Sequence, residues 1–309
     1  VQAEWCSVIS TVYARTTGTR INMALKGSGE ALAQLIAEKD NPKTDVWFGG
    51  TGDPHLQAAE QGLTLEYKSP SLSQLHGWAQ QQAKQSGYRT VGIYSGPLGF
   101  GYNPELLAKK KLPVPRTWAD LLKPEYKGMV GYLDPSSAFV GYVSAVAINR
   151  AMGGDLDDFT PAIDYFRKLA GNSPIVPKQT AYARVLSGEL PILVDYDFNA
   201  YRARYKDQAN VAFVIPREGS ISVPYVMSVV DNAPHRANAE KVLDFVLSDK
   251  GQALWANAYL RPVRPVQMPA EVAARFLPES DYARAGVVDY QKMAAVQEAF
   301  AARYLKEVR

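Results

Sequence analysis

The stretch Asn41 to Leu63, NPKTDVWFGGTGDPHLQAAEQGL, constrains the fold of this chain more than any other. A polar turn leads into the apolar run Val46-Trp47-Phe48, which passes into Gly49-Gly50-Thr51-Gly52-Asp53 and then into an amphipathic helix. Strand, glycine-rich turn and helix, in that order, aim backbone N–H groups and the positive end of a helix at whatever lies beyond the strand. The glycines follow neither the dinucleotide nor the phosphate-loop spacing. On the residues alone the turn reads equally as a ligand cradle and as a bend that needs glycine for its backbone angles.

The same unit recurs along the chain. Trp5, Val8, Ile9, Val12 and Tyr13 fall at helical spacing, so residues about 3 to 16 are expected to form a helix closed by Thr17-Gly18, with a first strand upstream of Val1. Arg20 to Leu25 reads as a strand, followed by Lys26-Gly27-Ser28-Gly29-Glu30 and the helix Ala31 to Lys39, with Ser28 as candidate N-cap. Met129 to Leu133 reads as a third such strand, then Asp134-Pro135-Ser136-Ser137-Ala138 and a helix from Phe139 to Met152. Alternating strands and helices predict an α/β fold whose turns gather at the carboxyl ends of the strands.

Two extended runs, Val91 to Asn103 and Ser222 to Val230, carry prolines and suit segments crossing between two lobes better than central strands. Elsewhere the spacing predicts helices at Trp118–Leu122, Phe159–Ala170, Thr180–Ser187, Ala200–Tyr205, Ala237–Leu247, Lys250–Tyr259 and Val287–Leu305. Strands are expected at Ile192–Val194 and Val211–Ile215, with Asp195-Tyr196-Asp197-Phe198-Asn199 between the first of these and a helix. No internal repeat is visible.

With 34 basic and 31 acidic residues spread evenly for a net charge of +3, the chain has no basic block, and nucleic acid is not an expected partner. Its one cysteine, Cys6, excludes an intrachain disulfide framework. No apolar run nears the roughly 18 residues that span a membrane. The three histidines, His55, His76 and His235, lack metal-ligand spacing, and no nucleophile elbow is present, so neither a metal site nor an enzyme is expected. A hydrolase on a two-lobed scaffold would need a nucleophile–base pair, and none is apparent.

Several blocks together resemble a family. SGEALAQLIAEKDNPKTDVWFGGTGD, YSGPLGFGYNPELL, PRTWADLLKPEYKGMV, DPSSAF and VLDFVLSDKGQALW are similar to the ferric-type solute-binding proteins of bacterial ABC importers, from about Trp5 to Arg264. The resemblance implies a two-lobed type II periplasmic-binding fold, each lobe a mixed sheet flanked by helices, joined by two hinge strands around a ligand cleft. Lobe one would be residues 1–100 plus 228–265, lobe two 101–227, and residues 266–309 a helical tail packed on the lobes. It further implies a periplasmic or lipid-anchored protein, expected as a monomer without cofactor, that hands a small-molecule solute to an ABC permease.

Ferric members of the family hold iron with a histidine, a glutamate and a tyrosine pair; the matching positions here are Gln2, Gly50 and Asp197-Phe198, so iron is the alternative rather than the expectation. Branches for aminoalkylphosphonates, sugar phosphates and polyamines place anion contacts where this chain has Ser28, Thr51 and Ser136-Ser137-Ala138. Bulky phosphates are disfavoured, since Ala138, Phe139 and Val140 replace the serine–glycine–threonine of phosphate-binding relatives. Asp197 and Asn199 are expected to face a ligand ammonium, although Asp197 would serve equally as a helix cap. Trp5 and Tyr225 are candidate stacking residues, and Trp5 also fits a core position. The expected solute is a small zwitterionic or anionic organic compound; a ligand sensor for a membrane receptor would share the fold.

Overall fold

The computed structural model describes residues 3–177 and 182–309. Among them are seven strands: β1 (Val46–Thr51), β2 (Val91–Tyr102), β3 (Val130–Gly131), β4 (Ile192–Tyr196), β5 (Ala212–Val214), β6 (Ser220–Val229) and β7 (Ala285–Gly286). The chain divides into two compact units, Val1–Ser95 with Pro224–Ala274 and Gly96–Val223 with Arg275–Arg309. It passes between them within β2 and again within β6. Of the tail read as one piece, residues through Ala274 cluster with the first unit and those from Arg275 with the second. No helix among the described residues is long and apolar enough to cross a membrane.

In the first unit β1 runs antiparallel to β6, with Val46 opposite Val229 and Phe48 opposite Met227. The register slips between Phe48 and Thr51, which brings Thr51 opposite Tyr225. Trp47 on β1 packs with Leu35, Ala58, Leu63 and Val230, joining the helices Ser28–Ala37 and Gly52–Glu60 to the strand. The helix Ala3–Thr17 buries Trp5, Ile9 and Tyr13 at its predicted spacing, and Tyr13 meets Phe245 at 5.2 Å between ring centroids. Arg20 to Leu25 is not a strand: it is unpaired in secondary structure and exposed, with Leu25 at 64%. A strand needs a neighbour for its backbone groups, and the described residues supply none there.

The second unit is a mixed sheet. β2 pairs antiparallel with β4 from Leu98–Tyr196 to Tyr102–Ile192 and with β5 at Phe100–Val214, while β3 lies parallel to β4. Contrary to the reading of its proline and glycines, β2 is one continuous, buried strand of 12 residues. Pro97 is tolerated because it sits just before the stretch paired with β4. All five residues of β4 are buried, as expected of a strand covered on both faces. The helix Phe139–Ala151 lies against the end of β3 so closely that a Cβ on Gly141 would stand 2.4 Å from the Leu133 carbonyl oxygen.

Other expectations needed trimming. Met129–Leu133 supplies only the two residues of β3, Trp118–Leu122 gives a 3-10 turn at Ala119–Leu122, and Val287–Leu305 is two helices, Tyr290–Ala295 and Gln297–Glu307. The helix expected from Thr180 is seen as Tyr182–Leu186, and its first two expected residues, Thr180 and Ala181, lie outside those described. The closing helices join the second unit through buried hydroxyls: Tyr142 donates to the Met293 carbonyl at 2.5 Å, and Tyr132 and Tyr304 share a 2.9 Å bond.

Candidate solute site

In the first unit, five of the expected residues converge around the end of β1. Gly49 and Gly50 have φ of +86° and +89°, a region that L side chains rarely enter. A Cβ on Gly50 would also stand 2.8 Å from the Ser28 hydroxyl, so Ser28 packs directly on the bare Gly50 backbone. Ser28 is the first residue of its helix; the N-cap is Gly27, not Ser28 as read. Thr51 caps the helix Gly52–Glu60 by backbone geometry, and its hydroxyl donates to the Asp53 carboxylate at 2.7 Å. Asp53 therefore occupies the Thr51 hydroxyl and complements the positive helix end.

Tyr225, opposite Thr51, stacks on Tyr94 with centroids 4.6 Å apart and planes 11° off parallel. Trp5 meets the other side of this cluster edge-on, 5.6 Å from Tyr94. Trp5 is buried, which makes it the aromatic support of Tyr94 and Tyr225 rather than an open platform.

A residue that the sequence reading passed over fixes this turn. His55 is fully buried, stacks on Trp47 at 3.8 Å, and places its two ring nitrogens 2.8 Å from the Gly49 carbonyl and 2.7 Å from the Ser228 hydroxyl. A carbonyl only accepts, so Nε2 carries the proton and Nδ1 accepts from Ser228. Burial pushes the imidazole down to about 4, opposed by the bond to Gly49, and the ring stays neutral. Its sequence signal was a lone histidine on the first turn of the helix behind the glycines.

In the second unit the parallel strands β3 and β4 each run into a helix start at their carboxyl ends. After β3, Asp134 organises the turn. Its Oδ1 accepts from the Ser136 N–H at 2.8 Å and from the Ser136 hydroxyl at 2.5 Å, and its carbonyl accepts from the N–H groups of Ser137 and Ala138. The N–H groups expected to receive an anion at 136, 137 and 138 are thus already paired within the loop. Ala138 is the N-cap, so the donors left by helix geometry include the first-turn N–H groups of Phe139 and Val140. The Ser137 side chain is exposed, and no bond among the described residues occupies its hydroxyl.

After β4, Asp197 is the first residue of the helix Asp197–Tyr205 and only 1% exposed, a favourable place for a carboxylate against the helix dipole. The N-cap is Tyr196, so Asp197 does not cap in the side-chain sense. Tyr282 donates to Asp197 Oδ2 at 3.5 Å. The Asn199 amide does not point away from its own segment: it donates to both oxygens of Asp195 at 3.1 Å. Burial pushes Asp195 up to about 6, and the bonds from Tyr196 N–H and Asn199 pull the other way. Asn199 thus steadies a buried carboxyl. Gln2 lies outside the described residues.

The fold is α/β, with helix starts bearing hydroxyl side chains or a carboxylate at the carboxyl ends of β1, β3 and β4. The model of the bacterial extracellular solute-binding protein family matches residues 41–295, and the chain belongs to that family. It is 35% identical over 256 residues to an uncharacterised Haemophilus influenzae protein, covering 81% of this chain and 71% of that one. It is 26% identical over 276 residues, 86% of this chain and 76% of the other, to a Salmonella typhi periplasmic protein provisionally named for 2-aminoethylphosphonate binding. Among solved structures, the periplasmic binding protein AfuA from Actinobacillus pleuropneumoniae, with exogenous fructose-6-phosphate bound, superposes with a TM-score of 0.76 at 26% identity, over 100% of this chain and 96% of that one. The fold is the type II periplasmic-binding fold, and the chain is a solute-binding protein of the kind that serves ABC importers, as the resemblance implied.

Proposed function

We propose that the protein captures a small organic oxyanion carrying an amino or hydroxyl group, such as an aminoalkylphosphonate or a compact sugar phosphate, and delivers it to an ABC permease from the periplasmic side. It acts by binding alone, without chemistry on the solute. The observation that carries this reading is the Asp134 turn, which consumes its own N–H groups and leaves the Ser137 hydroxyl with the Phe139 and Val140 N–H groups at a helix start. Such a start favours an anion through aligned N–H groups and the helix dipole. The names of the relatives, a 2-aminoethylphosphonate binder and a fructose-6-phosphate complex, point to the same class.

Ferric iron fits less well. The position where the iron-binding pattern wants a carboxylate is Gly50, where φ is +89° and an added Cβ would stand 2.8 Å from the Ser28 hydroxyl, both unfavourable to a side chain. A thermal-melt panel of 2-aminoethylphosphonate, fructose-6-phosphate, amino acids, spermidine and Fe(III) tests the choice. Ligand at a hundredfold excess over Kd should add about 2.7 kcal/mol to stability. A shift with the phosphonate or sugar phosphate is the expected result. A visible charge-transfer band with Fe(III), and no shift with any organic compound, overturns it.

A further inference from the structure

Asp134 poses an electrostatic difficulty for an anion receptor. It is 2% exposed, and its carboxylate sits inside the turn that precedes the helix start proposed to take an oxyanion. A buried negative charge there repels an incoming one unless it is compensated. Its second oxygen, Oδ2, accepts from the Arg309 guanidinium. Arg309 is far away in sequence and half exposed, but the residues just before it are held in place. Val308 N–H bonds the Tyr304 carbonyl at 2.9 Å, Tyr304 is buried and paired with Tyr132, and Arg167 holds the Glu307 carbonyl at 3.0 Å.

We propose that Arg309 is a positioning residue for solute binding: by pairing with Asp134 it cancels the charge within the Pro135–Ala138 turn and holds that turn in the shape that receives an oxyanion. The inference rests on the reading of the second-unit helix start given above. Arg309 need not touch the solute. Its guanidinium frees Asp134 Oδ1 to bind Ser136 alone, so the turn is both ordered and nearly neutral when the anion arrives. The selectivity that follows is for charge: removing Arg309 should hurt a dianionic solute more than a zwitterion of the same size.

Calorimetric titration with 2-aminoethylphosphonate and fructose-6-phosphate separates this role from a merely structural one. Arg309→Met is expected to weaken binding about tenfold, because it leaves the buried Asp134 carboxylate without its half-exposed partner. The double variant Asp134→Asn with Arg309→Met keeps the Oδ1 acceptor for Ser136 and removes the uncompensated charge, and should recover affinity to within about threefold of the wild type. A purely structural Arg309 would weaken both compounds alike, without the larger loss expected for dianionic fructose-6-phosphate than for zwitterionic 2-aminoethylphosphonate. Wild-type binding that Arg309→Met retains overturns this inference alone, and so does a double variant that stays as weak as the single. A wild type that binds neither compound overturns the functional reading, and this inference with it.

Discussion

Gly50 is the residue at which backbone, packing and ligand choice meet. Its φ of +89° strains any L residue, and the Ser28 hydroxyl occupies the space a Cβ would need. Gly50→Ala should therefore cost about 1–2 kcal/mol in urea unfolding, through left-handed strain together with the clash. Two buried groups, His55 in the first unit and Asp195 in the second, pull stability in opposite directions with pH. His55 is held near 4 in the folded state, below its unfolded value, so its contribution is complete above about pH 6.5 and is lost as pH falls towards 4, about 3 kcal/mol in all. Asp195 is raised to about 6, so its contribution is complete below about pH 4 and is lost as pH rises through 6, again about 3 kcal/mol. Between pH 4 and 6.5 the two should nearly cancel. Asp195→Asn removes one of them, and urea melts at pH 4.5 and 7 should show a steeper acid loss than in the wild type; an equal slope would remove Asp195 from the account.

The turn between β3 and the helix Phe139–Ala151 separates two serines that look interchangeable in sequence. Ser136 is tied to Asp134 by both its N–H and its hydroxyl, whereas the Ser137 hydroxyl is left open to solvent. Ser136→Ala should lower stability by about 1 kcal/mol, the net worth of a partly buried bond to a charged group. Ser137→Ala should change stability by less than about 0.5 kcal/mol, as for a surface site, while weakening solute binding. A reversed pattern would mean that the turn is held some other way. Much of this element was legible. Helix starts after β1, β3 and β4 were placed by glycine, hydroxyl and apolar-run signals, and the residues around Thr51 and Tyr225 do come together. What local pattern could not show was which donors the turn keeps for itself. Asp134-Pro135-Ser136 carried that signal, since an aspartate two residues before a serine tends to fold back on its backbone. Arg20–Leu25 shows the converse: an apolar run with strand propensity stays exposed without a neighbour to complete its ladder. Val91–Tyr102 shows that proline excludes a strand only where its missing N–H is needed.

At the scale of the molecule, two units built from discontinuous segments share two strands of one chain. The two proline-bearing runs, read as crossings, are the strands β2 and β6 within which the chain passes from one unit to the other. The Asp134–Arg309 pair was not readable, because it joins residues that only the folding of the closing helices onto the second unit brings together. The central claim is that the oxyanion, rather than the amine, is what the protein selects. Calorimetric titration of the wild type with 2-aminoethylphosphonate beside ethanolamine, which has the amine and no phosphonate, tests it most directly. The account predicts saturable one-to-one binding of the phosphonate and no detectable heat from ethanolamine; equal binding of the two would contradict it.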